Sequence, residues 1–388
     1  MPMRRWLLPE YIEDILPAEA QRIEGLRRRI LDLFRGHGYE LVMPPLLEYL
    51  ESLLTGTGHD LDLKTFKLVD QLSGRMLGVR ADITPQVARI DAHLLNRTGI
   101  ARLCYAGSVL QALPSGMMRT REPLQIGAEL YGHGGVESDV EIQALMLSAL
   151  RIAGVEELYV DLGHVGVFRS LMTRFQVAPE LELELFQVLQ SKDVPTLREL
   201  VANLNDDLRD ALLLLPELYG GPQVLDMARK RLPDFSEIAL ALDQMDTIAR
   251  DLQGVAEVHC FDLAELRGYQ YHSGIVFAAY ARGRPNAIAL GGRYDEVGKA
   301  FGRARPATGF TTDLRELAAL VAPPPPVAAI LAPYRPDDAA LRAKIEGLRG
   351  KGQIVIIDLP GHEDTRQELN CARRLVSRGG TWQIVDDN

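Results

Sequence analysis

The segment 103–132, LCYAGSVLQALPSGMMRTREPLQIGAELYG, constrains this chain more than any other. It reads as a long hairpin with arms at 103–112 and 124–131. The first arm sets Cys104, Tyr105 and Val109 in extended company. The second alternates strictly, with Leu124, Ile126, Ala128 and Leu130 on one face and Gln125, Gly127, Glu129 and Tyr131 on the other. That period of two marks a strand with one face in a core and the other mainly polar. On the polar face Gln125 and Glu129 flank Gly127, leaving a side-chain-sized gap between an amide and a carboxylate that could hold an ammonium group. Read alone, the strand favours the plainer account of a solvated sheet face with a glycine at a bulge.

At 388 residues the chain can bury a large core, and usual domain sizes predict two or three units. Ile23, Leu26, Ile30, Leu33 and Phe34 recur at helical spacing over 18–35, and Gly36 and Gly38 stop that helix. A strand at 39–43 ends at Pro44-Pro45, and a short helical segment follows at 46–54. Strands at 65–70 and 76–80 turn at Ser73-Gly74. Asp82-Ile83-Thr84-Pro85 opens a helix, with Thr84 at the N-cap and Pro85 at the first helical position. Ser138 to Glu141 matches a capping box that starts a helix running to about Ala153.

Strands at 155–162 and 256–263 enclose a long stretch of helical patterns, which reads as a helical domain inserted into a sheet domain. Arg267, Tyr271 and His272 then crowd polar groups ahead of the strand Ile275-Val276-Phe277. After LGGRYD at 290–295 and a strand and helix over 307–320, the prolines 323–326 form a stiff linker. The tail alternates strand and helix at 327–331, 337–348, 353–358, 363–377 and 381–385, a small α/β unit expected to have parallel strands. The expected boundaries are 1–167 and 256–322 for the two parts of the sheet domain, 168–255 for the insertion and 323–388 for the tail unit.

Composition narrows the function classes. A net charge of -10 argues against an extended phosphate-binding surface, because nucleic-acid affinity comes largely from Lys and Arg. No apolar run approaches the ~20 residues that span a bilayer, and the start, with Trp6, Leu7 and Leu8 before Pro9, is no secretory signal. Cys104, Cys260 and Cys371 form no CxxC pair and the histidines no HxH or HxxxH, so reduced thiols, a cytoplasmic setting and no metal site are expected.

The order of the motifs is more telling than any one of them. The chain resembles class II aminoacyl-tRNA synthetases, and the histidyl enzyme among them, over nearly its whole length. LPEYIEDILPAEAQRIEGL looks like that family's N-terminal segment and GYELVMPPLLE like its dimer-forming first motif. RADIT resembles RPEGT, RGYQYHSGIVF resembles RGLDYYxxxVFE, and LGGRYDEV resembles GGRYDGL. The resemblance implies an α+β fold: a six-stranded antiparallel sheet flanked by helices, with the helical insertion and a C-terminal unit like a truncated anticodon-binding domain. It also implies an amino-acid pocket. Asp82 stands where the family has Glu, Thr84 matches its Thr, and Gln125 and Glu129 match the pair that holds the substrate ammonium. Arg267, Tyr271 and Tyr294 match too, whereas His272 replaces a tyrosine near the imidazole site.

The ATP machinery is missing. The family's FRxE aligns with Leu110, Gln111, Ala112 and Leu113, and the arginine that ends GLER aligns with Glu316. Adenylyl transfer needs fixed cations at the phosphates, which glutamine cannot supply and glutamate would oppose. Losing one such donor commonly costs ~10²- to 10³-fold in rate. Arg119 and Arg121 remain as possible anion contacts, or as members of structural ion pairs. A synthetase-like chain with an amino-acid pocket, no ATP clamp and a short tail resembles the regulatory subunits of ATP phosphoribosyltransferase. That resemblance implies no catalysis and no cofactor, a homodimer within a hetero-oligomer with a short catalytic subunit, histidine as feedback effector, and no transfer RNA. An active histidyl-tRNA synthetase or related adenylating ligase, and a free-standing amino-acid sensor, are the alternatives.

Overall fold

The computed structural model describes residues 7–56, 59–114, 120–255, 257–320, 329–361 and 368–386. They fall into two compact units, 1–321 and 322–388. The first is organised on a nine-stranded sheet in the order β1-β5-β6-β12-β11-β10-β7-β9-β8. Its strands are β1 (Glu40–Leu41), β5 (Ala101–Ser108), β6 (Leu124–Tyr131), β7 (Leu158–His164), β8 (Tyr219–Gly220), β9 (Glu257–Asp262), β10 (Ile275–Ala281), β11 (Ala289–Arg293) and β12 (Ala307–Asp313). The run β5-β6-β12-β11-β10-β7 is antiparallel throughout, as the sequence resemblance implies. Parallel pairings of β1 with β5 and β7 with β9 extend it into a mixed sheet. A separate three-stranded sheet joins β2 (Leu47–Tyr49), β4 (Met76–Val79) and β3 (Phe66–Val69).

The helices cover the sheet where its alternation is apolar. In α1 (Pro17–Gly36), Ile23, Leu26, Ile30 and Phe34 are buried, one every three or four residues. They meet the Ile126, Ala128 and Leu130 face of β6 in one core, which also takes in α5 (Val136–Ile152). Shorter helices are α2 (Leu50–Leu53), α3 (His59–Lys64) and α4 (Thr84–Arg89), the last continuing as a π-type turn over Ile90–Leu95. Between β7 and β9 lie α6 (Val165–Arg174), α7 (Pro179–Gln190), α8 (Val194–Val201), α9 (Asp206–Leu214), α10 (Gln223–Arg231) and α11 (Ser236–Asp251), with the short β8 among them. Their buried leucines belong to the same core as the sheet. After β12 comes α12 (Leu314–Leu320).

Several local expectations give way to longer-range contacts. The segment 46–54 begins as β2 before turning into α2, because Leu47 to Tyr49 pair with β4. Thr84 is the first residue of α4 rather than its N-cap, which is Ile83. Asp82 Oδ1 accepts from the Thr84 N–H at 3.0 Å instead. The capping box at 138–141 does not form. α5 starts two residues earlier, Ser138 Oγ donates to Gly135 O at 2.8 Å, and Glu141 is drawn away to Arg102 and Tyr39.

The second unit has its own small core, including Ile330, Leu341, Leu375 and Trp382. It comprises β13 (Ala329–Pro333), α13 (Ala339–Arg349), β14 (Val355–Asp358), β15 (Cys371–Arg378) and β16 (Thr381–Asp386). β13 pairs in parallel with β14 and β15, but β16 is antiparallel to β15. The helix expected at 363–377 is therefore corrected: its second half is β15, where Leu375 turns inward between exposed Arg374 and half-buried Val376. Residues 362–367 lie outside the described ones.

A buried ion pair locks the start of α5 to β11. Arg293 donates to Asp139 Oδ2 through Nε at 3.1 Å and Nη2 at 2.9 Å, to Ser138 Oγ at 2.9 Å and to Gly135 O at 3.1 Å. Burial raises the Asp139 carboxyl above its ordinary range while Arg293 opposes that rise. Removing one partner of such a pair strands the other charge in a low dielectric. Arg293→Met is therefore expected to destabilise the fold by about 3–5 kcal/mol, and Arg293→Met with Asp139→Leu to recover part of the loss, both measured by urea denaturation.

Candidate functional site

The polar face of β6 does not meet solvent. Tyr105 of β5 is the cross-strand partner of Gly127, and its side chain crosses the space a Gly127 side chain would need. A Cβ there would stand 2.5 Å from Tyr105 Oη and 2.4 Å from Phe310 O. The gap expected to receive an ammonium is thus filled from the neighbouring strand. Tyr105 Oη donates to Glu129 Oε1 at 3.1 Å and lies 3.1 Å from Thr84 Oγ1, whose hydroxyl supplies the proton of that second bond. Tyr294 Oη donates to the other carboxyl oxygen, Oε2.

Glu129 is only 1% exposed and lies across Gly309, its register partner on β12. A Cβ at Gly309 would fall 1.4 Å from Oε2, so only glycine leaves room for the carboxyl. Burial is the main reason its pKa is pushed up to about 8, with the tyrosine hydroxyls opposing the rise and Asp82 adding to it. Burial thus favours the protonated form of the group.

Gln125 is a latch. Its Oε1 accepts from the Ile83 N–H at 2.9 Å and its Nε2 donates to Asp82 Oδ1 at 2.8 Å. It fixes the start of α4 to β6 and does not line the cavity that the other candidates share. That cavity, of about 460 Å³, brings together Asp82, Thr84, Glu129, Arg267, Tyr271, His272 and Tyr294. Asp82 Oδ1 is doubly engaged, by Gln125 and the Thr84 N–H, which leaves Oδ2 for the cavity.

The segment 266–272 forms one wall. Gly268 turns the chain at φ +64, and the His272 N–H donates to Gly268 O at 2.8 Å. His272 Nδ1 stands 3.1 Å from Arg267 O, so Nδ1 carries the proton and Nε2 is left as acceptor. Burial lowers the ring's pKa to about 4, which keeps it neutral. Tyr271 and Tyr294 lie with ring centroids 5.0 Å apart, and the Tyr271 hydroxyl is buried with no hydrogen-bond partner among the described residues. A buried orphan hydroxyl on a cavity wall is a group awaiting a ligand atom.

Beside this wall, further lining comes from residues that sequence reasoning missed. Leu183, Phe186 and Gln187 of α7 line the same cavity. Tyr269 Oη donates to Glu182 Oε1 at 2.6 Å and stacks on Phe186 at 5.5 Å, while Arg169 of α6 donates to Tyr269 O at 3.0 Å and His272 O at 2.8 Å. The available signal was that Leu183 and Phe186 stand off the Leu185 and Leu189 stripe that α7 buries.

The positions where a nucleotide clamp would stand hold no free cation among the described residues. The Gln111 N–H donates to Arg121 O at 2.8 Å, and Leu113 is exposed. Arg121 donates from Nε to Gln111 O at 3.1 Å and lies over the Phe66 ring at 4.8 Å. Arg315, next to Glu316, donates to Glu13 Oε1 at 2.7 Å. Arg119 lies outside the described residues.

Residues 11–317 match the family model of histidyl-tRNA synthetase, and residues 327–385 that of the ATP phosphoribosyltransferase subunit HisZ C-terminal domain. The ATP phosphoribosyltransferase regulatory subunit of Nitrosospira multiformis is 61% identical over 100% of this chain and 99% of its own. That of Ralstonia nicotianae is 61% identical over 98% of both. Among solved structures, an ATP phosphoribosyltransferase regulatory subunit/histidyl-tRNA synthetase from Bacillus halodurans superposes with a TM-score of 0.83 at 28% identity, over 94% of this chain and 96% of that one. The histidyl-tRNA synthetase of Nostoc sp. PCC 7120 shares the fold, with a TM-score of 0.77 at 17% identity over 98% and 97%.

The Glu129 carboxyl makes the ligand-free protein sensitive to pH. The unfolded chain releases this proton near its ordinary value of 4.5 and the folded chain keeps it until about 8. Stability therefore falls as pH rises between those values, by up to about 1.4 kcal/mol per pH unit for one proton. Urea denaturation at pH 5 and pH 8 is expected to show wild type losing stability relative to Glu129→Gln, with no further divergence above that range.

Proposed function

Because the chain belongs to the family of ATP phosphoribosyltransferase regulatory subunits, we propose that it activates a short catalytic subunit and conveys feedback inhibition by histidine through the cavity on β6. The single observation that carries the pocket assignment is the orphan Tyr271 hydroxyl, buried beside a Glu129 carboxyl that meets no cation. The free Oδ2 of Asp82 and the Thr84 hydroxyl suit the ligand's ammonium. Glu129, Tyr271 and the facing Tyr294 ring suit a flat imidazole, whose ring nitrogen can exchange a proton with a carboxyl near pH 8. His272 presents a neutral acceptor at the same wall. Coupling of ~1–3 kcal/mol between this cavity and the partner's active site suffices for feedback control.

The chain itself performs no adenylation on this reading. Gln111, Leu113 and Glu316 replace the clamp, and Arg121 and Arg315 are spent on carbonyls and Glu13. The net charge of -10 supports the absence of transfer RNA binding. A homodimer through the synthetase-like unit, within a larger cytoplasmic hetero-oligomer, completes the proposal. No helix among the described residues is long and apolar enough to cross a membrane.

Reconstitution with a short phosphoribosyltransferase tests the whole reading. The chain is expected to raise the partner's turnover, and histidine to suppress it. Tyr271→Phe and Glu129→Gln are each expected to raise the histidine concentration for half inhibition by roughly tenfold or more, leaving stimulation intact. Unchanged inhibition in both variants would place histidine elsewhere. The purified chain is expected to show no histidine-dependent exchange of pyrophosphate into ATP, and exchange would restore the synthetase reading.

A further inference from the structure

The cavity recognises more than an ammonium and a ring. Its inner end is acidic, with Asp82 and Glu129, and a free amino acid brings a carboxylate that those groups would repel. Two cations line the cavity, Lys64 and Arg267. Arg267 is already balanced, since Glu265 Oε2 lies 3.4 Å from its Nη2 and Glu265 Oε1 accepts its backbone N–H at 2.8 Å. Lys64 is the last residue of α3, is exposed, and forms no ion pair among the described residues.

Its backbone is fixed where an anion-binding group is missing. Lys64 O accepts from the Ala112 N–H at 2.8 Å, and the adjacent Thr65 bridges to Gln111. The lysine therefore stands beside the very position at which an arginine has been replaced by glutamine. A compact ammonium on a flexible stem can meet a carboxylate there without the bidentate geometry that phosphates favour.

We propose that Lys64 is the carboxylate-binding residue of this cavity and sets its specificity for a free amino acid over derivatives without that group. The proposal rests on the histidine-pocket reading above. A ligand's ammonium would be held at Asp82 and its carboxylate at Lys64, so the α-carbon substituents span the cavity from its acidic inner end to α3.

Titration calorimetry on the purified full chain, with L-histidine and with histidinol, whose carboxylate is replaced by a hydroxymethyl group, tests this. Wild type is expected to bind histidine about tenfold or more tighter than histidinol. Lys64→Met should weaken histidine by about that factor, leave histidinol unchanged and erase the discrimination, and Lys64→Arg should restore most of it. If Lys64→Met still prefers histidine as wild type does, while Glu129→Gln loses histidine binding, the pocket reading stands and Lys64 is not the carboxylate site. If neither variant alters histidine binding, both proposals fall. Lys64 is exposed, so matching circular dichroism of the variants separates loss of binding from loss of fold.

Discussion

A carboxyl group buried at the centre of a sheet is the constraint on which the first unit's design depends. Glu129 can occupy that place only because Gly309 leaves the space, Tyr105 and Tyr294 supply hydroxyl donors, and Thr84 steadies one of them. Tyr105, Gly309 and Thr84 sit on β5, β12 and α4 and Tyr294 just past the end of β11, so the carboxyl on β6 draws these segments toward one point. Satisfying a buried polar group this fully makes the arrangement specific rather than merely compact. Among the described residues the hydroxyls of Tyr131 and Tyr271 are left without a partner, and that of Tyr271 is on the cavity wall. A site that satisfies its scaffold but not one wall has the form of a binding site.

The second arm of the hairpin was readable from its strict alternation, and its bounds coincide with β6. α1 was readable for the same reason, its buried residues following the apolar spacing. What a linear pattern cannot carry is cross-strand register. Nothing in the sequence says that Tyr105 lies opposite Gly127, so a gap was inferred where a ring stands. Gln125 was placed at the site by motif, but its amide is turned to Ile83 and Asp82 and it does not line the cavity, a choice made by the docking of α4. Ser138 and Glu141 had the right spacing for a capping box, yet Arg102 and Tyr39 compete for the glutamate from other elements. β15 was misread because an arginine pair beside alanine and leucine suits either period, and pairing with β13 and β16 decided it.

The division of the fold's chemistry follows one line. Asp82, Thr84, Glu129, Tyr271 and Tyr294 line a shared cavity and are held by contacts among themselves and their neighbours. Near Gln111 and Glu316, Arg121 and Arg315 turn to backbone carbonyls, Thr120 and Glu13. On the function proposed above, keeping a recognition surface without the phosphate-binding one would make a receptor of a catalytic scaffold with no rearrangement of the fold.

The Tyr269 to Glu182 hydrogen bond joins residues 87 positions apart and seats α7 on the cavity wall. Contacts of such separation are slow to form, because the loop between them must be ordered before they contribute. The part of the cavity lined by α7 is therefore expected to close late, after the helices between β7 and β9 have condensed onto the sheet. On the function proposed above, ligand recognition at this cavity would then double as a certificate that the first unit is complete.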